Sequence, residues 1–262
     1  TPPTVSREES FAPQQDAARG TYNPAMIEIQ TANAPASLTF RNIILDDLGR
    51  HGGTVFAQAV SQGENEGGTP NNSTYVQDAI IASNATKACT ITLGAGTVLR
   101  NYGGMSAVRV TNQAVLKMEA GSAMEDTTVT DRTKGSAEGK VGPAGAVWAQ
   151  GGTLLMEAGA EIRSMVGRAI YADGGNITIG GKIHDITGDA DMWQGNLKQK
   201  TLPGVALHLR NGAVGSMSAT GEITDIKGSG NAVFATGEAV RFTMEHGSKI
   251  HDFANLCGVY MV

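Results

Sequence analysis

Ala146-Val147-Trp148-Ala149, Ala169-Ile170-Tyr171-Ala172 and Ala206-Leu207-His208-Leu209 are one phrase in three copies: a small residue, an apolar one, a large variable one, an apolar one. Further copies are Ala107-Val108-Arg109-Val110, Ala232-Val233-Phe234-Ala235 and Gly258-Val259-Tyr260-Met261. Successive starts are separated by 39, 23, 37, 26 and 26 residues. The shorter steps define a unit in the low to middle twenties. The longer ones are that unit plus an insertion. A fixed period of this length marks a repeat architecture.

A second phrase follows each first one: a Gly, a hydrophobic residue two or three places on, then a turn-forming polar residue. It runs Gly96, Leu99, Asn101; Gly121, Met124, Asp126; Gly159, Ile162, Ser164; Gly181, Ile183, Asp185; Gly221, Ile223, Asp225; and Gly247, Ile250, Asp252. Between the phrases sits a third apolar run, as in Val115-Leu116-Lys117-Met118, Thr153-Leu154-Leu155-Met156, Ile177-Thr178-Ile179 and Val240-Arg241-Phe242-Thr243-Met244. Alternation with period two in runs of about four residues means strand rather than helix. Copies that all run the same way stack as parallel strands, ~4.8 Å per turn of the coil. The expected fold is all-β: a right-handed parallel β-helix, a three-sheet solenoid.

Stacking turns the phrases into columns. Val108, Val147, Ile170, Leu207, Val233 and Val259 are expected inside, as are Val110, Ala149, Ala172, Leu209, Ala235 and Met261, and the ladder Met124, Ile162, Ile183, Ile223, Ile250. Asn101, Asp126, Ser164, Asp185, Asp225 and Asp252 fall at one corner, where short polar side chains make Asx-type turns. One carboxylate per turn is too few ligands for calcium, so no metal is expected, and no cofactor. Cys89 and Cys257 lie about six turns apart, beyond disulfide reach, and are expected to be reduced, in or near the core.

Residues 1–24 are rich in Pro, Ala and Gln and read as a linker. Residues 25–262 read as one β-helix domain, truncated at its C-terminal end because the chain stops within the apolar Val259-Tyr260-Met261-Val262. Thr74 to Ser83 carries apolar residues at Val76, Ala79, Ile80 and Ala82, spaced for a short flanking helix.

Composition agrees with a narrow coil. Gly makes up 35 of 262 residues, aromatics 5% and charged residues 17%. A net charge of −5 argues against nucleic acid as a partner. No run approaches the ~18 apolar residues of a membrane-spanning helix, so no membrane insertion is expected.

The phrases Ile91-Thr92-Leu93-Gly94-Ala95-Gly96-Thr97-Val98-Leu99-Arg100-Asn101 and Met156-Glu157-Ala158-Gly159-Ala160-Glu161-Ile162 resemble the repeats of β-helix (pectin-lyase-like) domains in secreted and cell-surface proteins of Gram-positive, often gut, bacteria. The resemblance covers roughly residues 38–262. It implies an extracellular location and a larger modular parent. Enzymes of that fold carry clustered Asp residues with an Arg base, or a Gly-His-Gly and an Arg-x-Lys phrase. Neither His phrase nor Arg-x-Lys is present here. The adjacent Asp46 and Asp47 would point to opposite faces of a strand, which suits a turn better than a carboxylate pair for glycoside hydrolysis.

The large third residue of the phrase points outward if its neighbours point in. Arg109, Trp148, Tyr171, His208, Phe234 and Tyr260 then form an outer ladder, and such rings suit the apolar faces of sugars. Two insertions, 127–145 and 187–204, precede the strands of Trp148 and His208. They bring Arg132 and Trp193 to a cleft over Tyr171. The ligand-binding set is therefore Arg109, Trp148, Tyr171, His208, Phe234, Arg132 and Trp193. The expected function is a rigid adhesive or glycan-binding module whose partner is a glycan or a host surface protein. Self-association through the exposed sheet edge is a further expectation. A polysaccharide lyase or hydrolase working in the cleft would use Asp131, Asp189 and Asp191. A passive stalk needs no site.

Overall fold

In the computed structural model of the chain, the described residues are 2–6, 27–30, 34–47, 78–83, 87–104, 106–129, 145–188, 204–228, 230–254 and 257–262. They form three sheets in which every strand pairing is parallel. This is a parallel β-helix. One sheet stacks Thr4–Ser6, Ile44–Asp46, Val98–Arg100, Ala123–Val129, Glu161–Val166, Lys182–Thr187, Glu222–Ile226 and Lys249–Ile250. The second stacks Ala36–Phe40, Cys89–Leu93, Ala114–Met118, Thr153–Met156, Asn176–Ile179, Val214–Met217 and Arg241–Met244. The third stacks Ile27–Gln30, Asp78–Ser83, Ser106–Thr111, Val147–Gln150, Arg168–Asp173, Val205–Arg210, Val233–Thr236 and Val259–Met261.

The register follows the sequence phrases. Val108, Val147, Ile170, Leu207, Val233 and Val259 pair in one row, and Val110, Ala149, Ala172, Leu209, Ala235 and Met261 in another. Leu99, Met124, Ile162, Ile183, Ile223 and Ile250 form the expected third ladder. All of these from residue 99 to 235 are buried. Like residues stack on like because each rung repeats the same position, so aliphatic side chains interdigitate along the coil without change of register.

The corner column has left-handed backbone at every rung: Asn42, Asn101, Asp126, Ser164, Asp185, Asp225 and Asp252 have φ between 51° and 60°. Asn, Asp and, less readily, Ser accept this region because a short polar side chain can bond locally. A bend of this kind once per turn lets the chain leave one sheet and enter the next.

Three expectations need correction. Asp78–Ser83 is a strand and not part of a helix, with Ile80 beside Val108 and Ala82 beside Val110. The apolar spacing there serves the period of two, because Ile80 joins the inward row and is fully buried. Residues 74–77 lie outside the described set. Cys257 is exposed, whereas Cys89 is buried in the core as expected; both are free thiols. Burial pushes the Cys89 thiol up in pKa. Thr4–Ser6, within the segment read as linker, pairs with Ile44–Asp46.

The three outer faces differ in chemistry. The first sheet is charged: Glu161, Lys182, Glu222 and Lys249 share one row with alternating sign, and Arg100, Glu125, Arg163 and His184 share the next. Ion pairs tie these rungs, as in Arg163–Glu125 at 2.6 Å and Lys182–Glu222 at 2.7 Å. The second face is mostly hydroxylic, with Thr90, Thr92, Thr153, Thr178, Ser216 and Thr243. The third carries the rings.

Candidate functional site

The third sheet places the large residue of every phrase in one row: Arg109 pairs with Trp148, Trp148 with Tyr171, Tyr171 with His208, His208 with Phe234, and Phe234 with Tyr260. Their strand neighbours are in the core, so these side chains lie on the outer face. The column is continuous. The Arg109 guanidinium lies 4.0 Å from the Trp148 ring centroid. Tyr171 and His208 meet edge to face with centroids 5.0 Å apart. His208 and Phe234 are 4.8 Å apart and tilted. Phe234 and Tyr260 are near parallel, at 14° and 5.8 Å. Spacing of this order follows from the ~4.8 Å rise between stacked strands.

Exposure changes along the column. Trp148 is 5% exposed, Tyr171 1% and His208 8%, whereas Tyr260 is 46% exposed and Phe234 half-buried. An outward direction does not by itself make a surface. Only the Phe234–Tyr260 end of the column offers an open ring face among the described residues.

The buried part holds polar atoms in an unusual state. Trp148 Nε1 and both ring nitrogens of His208 are buried without a hydrogen-bond partner. Burial, and then the Arg168 and Arg210 charges, push the His208 pKa down to about 3, so the ring is neutral near pH 7. Arg210 donates a 3.1 Å hydrogen bond to the Tyr171 hydroxyl, and its Nε lies 3.9 Å from the Asp173 carboxylate. Burial raises the Tyr171 phenol pKa, against the opposing hydrogen bond from Arg210. Arg168 is itself buried, its Cζ 5.3 Å from the Tyr171 ring.

Arg109, Trp148, Tyr171, His208 and Phe234 are thus brought together. Arg132, Trp193, Asp131, Asp189 and Asp191 lie outside the described residues, as does most of the two insertions. Asp46 and Asp47 are both buried. The Asp46 carboxylate is engaged by Arg100 Nε and Asn101 Nδ2, each at 2.8 Å. Sequence reading missed Arg168 and Arg210. Arg210 was within reach of it: two places after His208, it must share the outer face. Arg168 precedes the phrase, where no recurring residue type gives a signal.

Comparison of the chain with protein-family models, curated proteins and solved structures gives no match. The site is read on its own chemistry.

Proposed function

We propose that this chain is a rigid glycan-binding module of an extracellular bacterial surface protein, similar to the pectin-lyase-like repeat domains its phrases resemble. The ring column is the binding surface, and the glycan lies along it. The observation that carries the reading is the combination in one row of an open, near-parallel ring pair, Phe234 and Tyr260, with the adjacent His208, whose ring nitrogens lack partners. Ring faces cover the C–H surface of a sugar, and polar atoms beside them bond its hydroxyls. Buried polar atoms left unpaired are costly; a bound hydroxyl offsets that cost.

The reading places the ligand toward the Phe234 end, not over Tyr171. A passive rigid spacer is the second reading. It is favoured by the near-complete burial of Trp148 and Tyr171, which in that case serve as packing.

A glycan array probed with the 262-residue chain and with Tyr260→Ala separates the two. The glycan reading expects a hit whose signal falls at least several-fold in Tyr260→Ala and is unchanged in Leu155→Ala, on the hydroxylic face. Absence of any hit, or a hit indifferent to Tyr260→Ala, contradicts it.

A further inference from the structure

We infer that His208 is the hydrogen-bonding centre of this site and that it takes a pair of hydroxyl groups on an uncharged sugar residue. The inference rests on the glycan reading above and specifies its ligand. His208 sits between the edge of Tyr171 and the face of Phe234, so its ring is held in place from both sides along the coil. Neither nitrogen has a partner, and the residue is more than nine-tenths buried.

A neutral imidazole carries one donor and one acceptor. A carboxylate satisfies the donor but sets its lone pairs against the acceptor nitrogen. An ammonium satisfies the acceptor but must sit beside Arg168 and Arg210, the charges that already disfavour a cation at this ring. Two hydroxyls satisfy both nitrogens and bury no charge. The titratable and charged groups around the ring are Arg168, Tyr171 and Asp173 on the neighbouring strand and Arg210 on its own; Phe234 and Thr236 on the other side bring no charge. Nothing in that set would turn the ring cationic between pH 5 and 8, so recognition is flat over this range.

The test uses soluble xylo-, cello- and manno-hexasaccharides, with polygalacturonate as the acidic comparator, titrated into the whole chain. The inference expects a neutral oligosaccharide to bind the parent chain. It expects affinity to fall about tenfold or more in His208→Leu, the scale of one lost buried hydrogen bond or more. His208→Gln, which keeps a donor and an acceptor, should recover most of it. Affinity should change less than about twofold from pH 8 to pH 5, since neither partner changes charge. Because His208→Leu removes an unpaired buried polar group, its melting temperature should rise, so weaker binding is not a folding defect. Equal binding by His208→Leu overturns the inference and leaves the glycan reading standing, as does preference for polygalacturonate or a collapse of affinity near pH 6.5. Failure of the parent chain to bind any of the four overturns both.

Discussion

Left-handed backbone costs an ordinary residue about 1–2 kcal/mol, and the corner column occupies it at seven successive rungs from Asn42 to Asp252. Asp225 is exposed, so substitution there isolates the backbone effect. Asp225→Gly should change stability by less than about 0.5 kcal/mol, whereas Asp225→Val should cost about 1–3 kcal/mol, the range for forced left-handed residues; urea unfolding distinguishes them. His208 makes a pH prediction. Its folded pKa, about 3, lies below its unfolded value near 6.5. Between these values the unfolded chain binds the extra proton. Stability from this residue is therefore fully present above about pH 6.5 and declines as pH falls toward 3, by at most about 1.4 kcal/mol per pH unit. Acid unfolding of His208→Leu should lack that slope; an identical acid profile would show that the ring is not held neutral. Column membership was readable from Tyr171, His208 and Phe234 because alternation decides which way a side chain points. Their burial was not, because it depends on what lies above the sheet, and no local phrase encodes that.

At the scale of the strand, six residues or fewer suffice because each segment contributes two or three side chains to the core and gains its backbone partners from the rungs above and below. Ile170 is central to the inward row between Val147 and Leu207. Ile170→Ala should destabilise the chain by about 2–5 kcal/mol, the cost of a large-to-small change that leaves a cavity. Leu155→Thr, on the exposed face of the second sheet, should stay within about 0.5 kcal/mol. Gly181 makes a sharper case: a Cβ there would run into the Ala160 carbonyl oxygen, which is backbone and cannot swing aside. Gly181→Ala should therefore destabilise by more than Ile170→Val, which costs about 0.5–1.5 kcal/mol; thermal melts of both variants rank them. Strand register between residues 89 and 261 was legible because each phrase carries its own alignment mark. Asp78–Ser83 was not, since no copy of the phrase is present there and Ile80 alone fits either period. Pairing with Ser106–Thr111 decides it as a strand.

The molecule as a whole is a coil with three unlike faces. Charge is confined largely to one, where Glu161–Arg163, Lys182–Glu222 and Lys227–Asp185 compensate one another. Lys227 holds the Asp185 carboxyl below its usual pKa, so what this exposed pair contributes is lost as pH falls through that lowered value. The hydroxylic second face carries no ring, and the third carries the ring column. That segregation is the physical content of the proposed function, because a ligand drawn to sugar-stacking chemistry has only one face to use. The most direct check is a two-dimensional amide and ring NMR map of the chain with a neutral hexasaccharide that binds it. Shifts confined to His208, Phe234, Tyr260 and their neighbours on the third sheet are the predicted result. Shifts centred on the charged or the hydroxylic face would contradict the account.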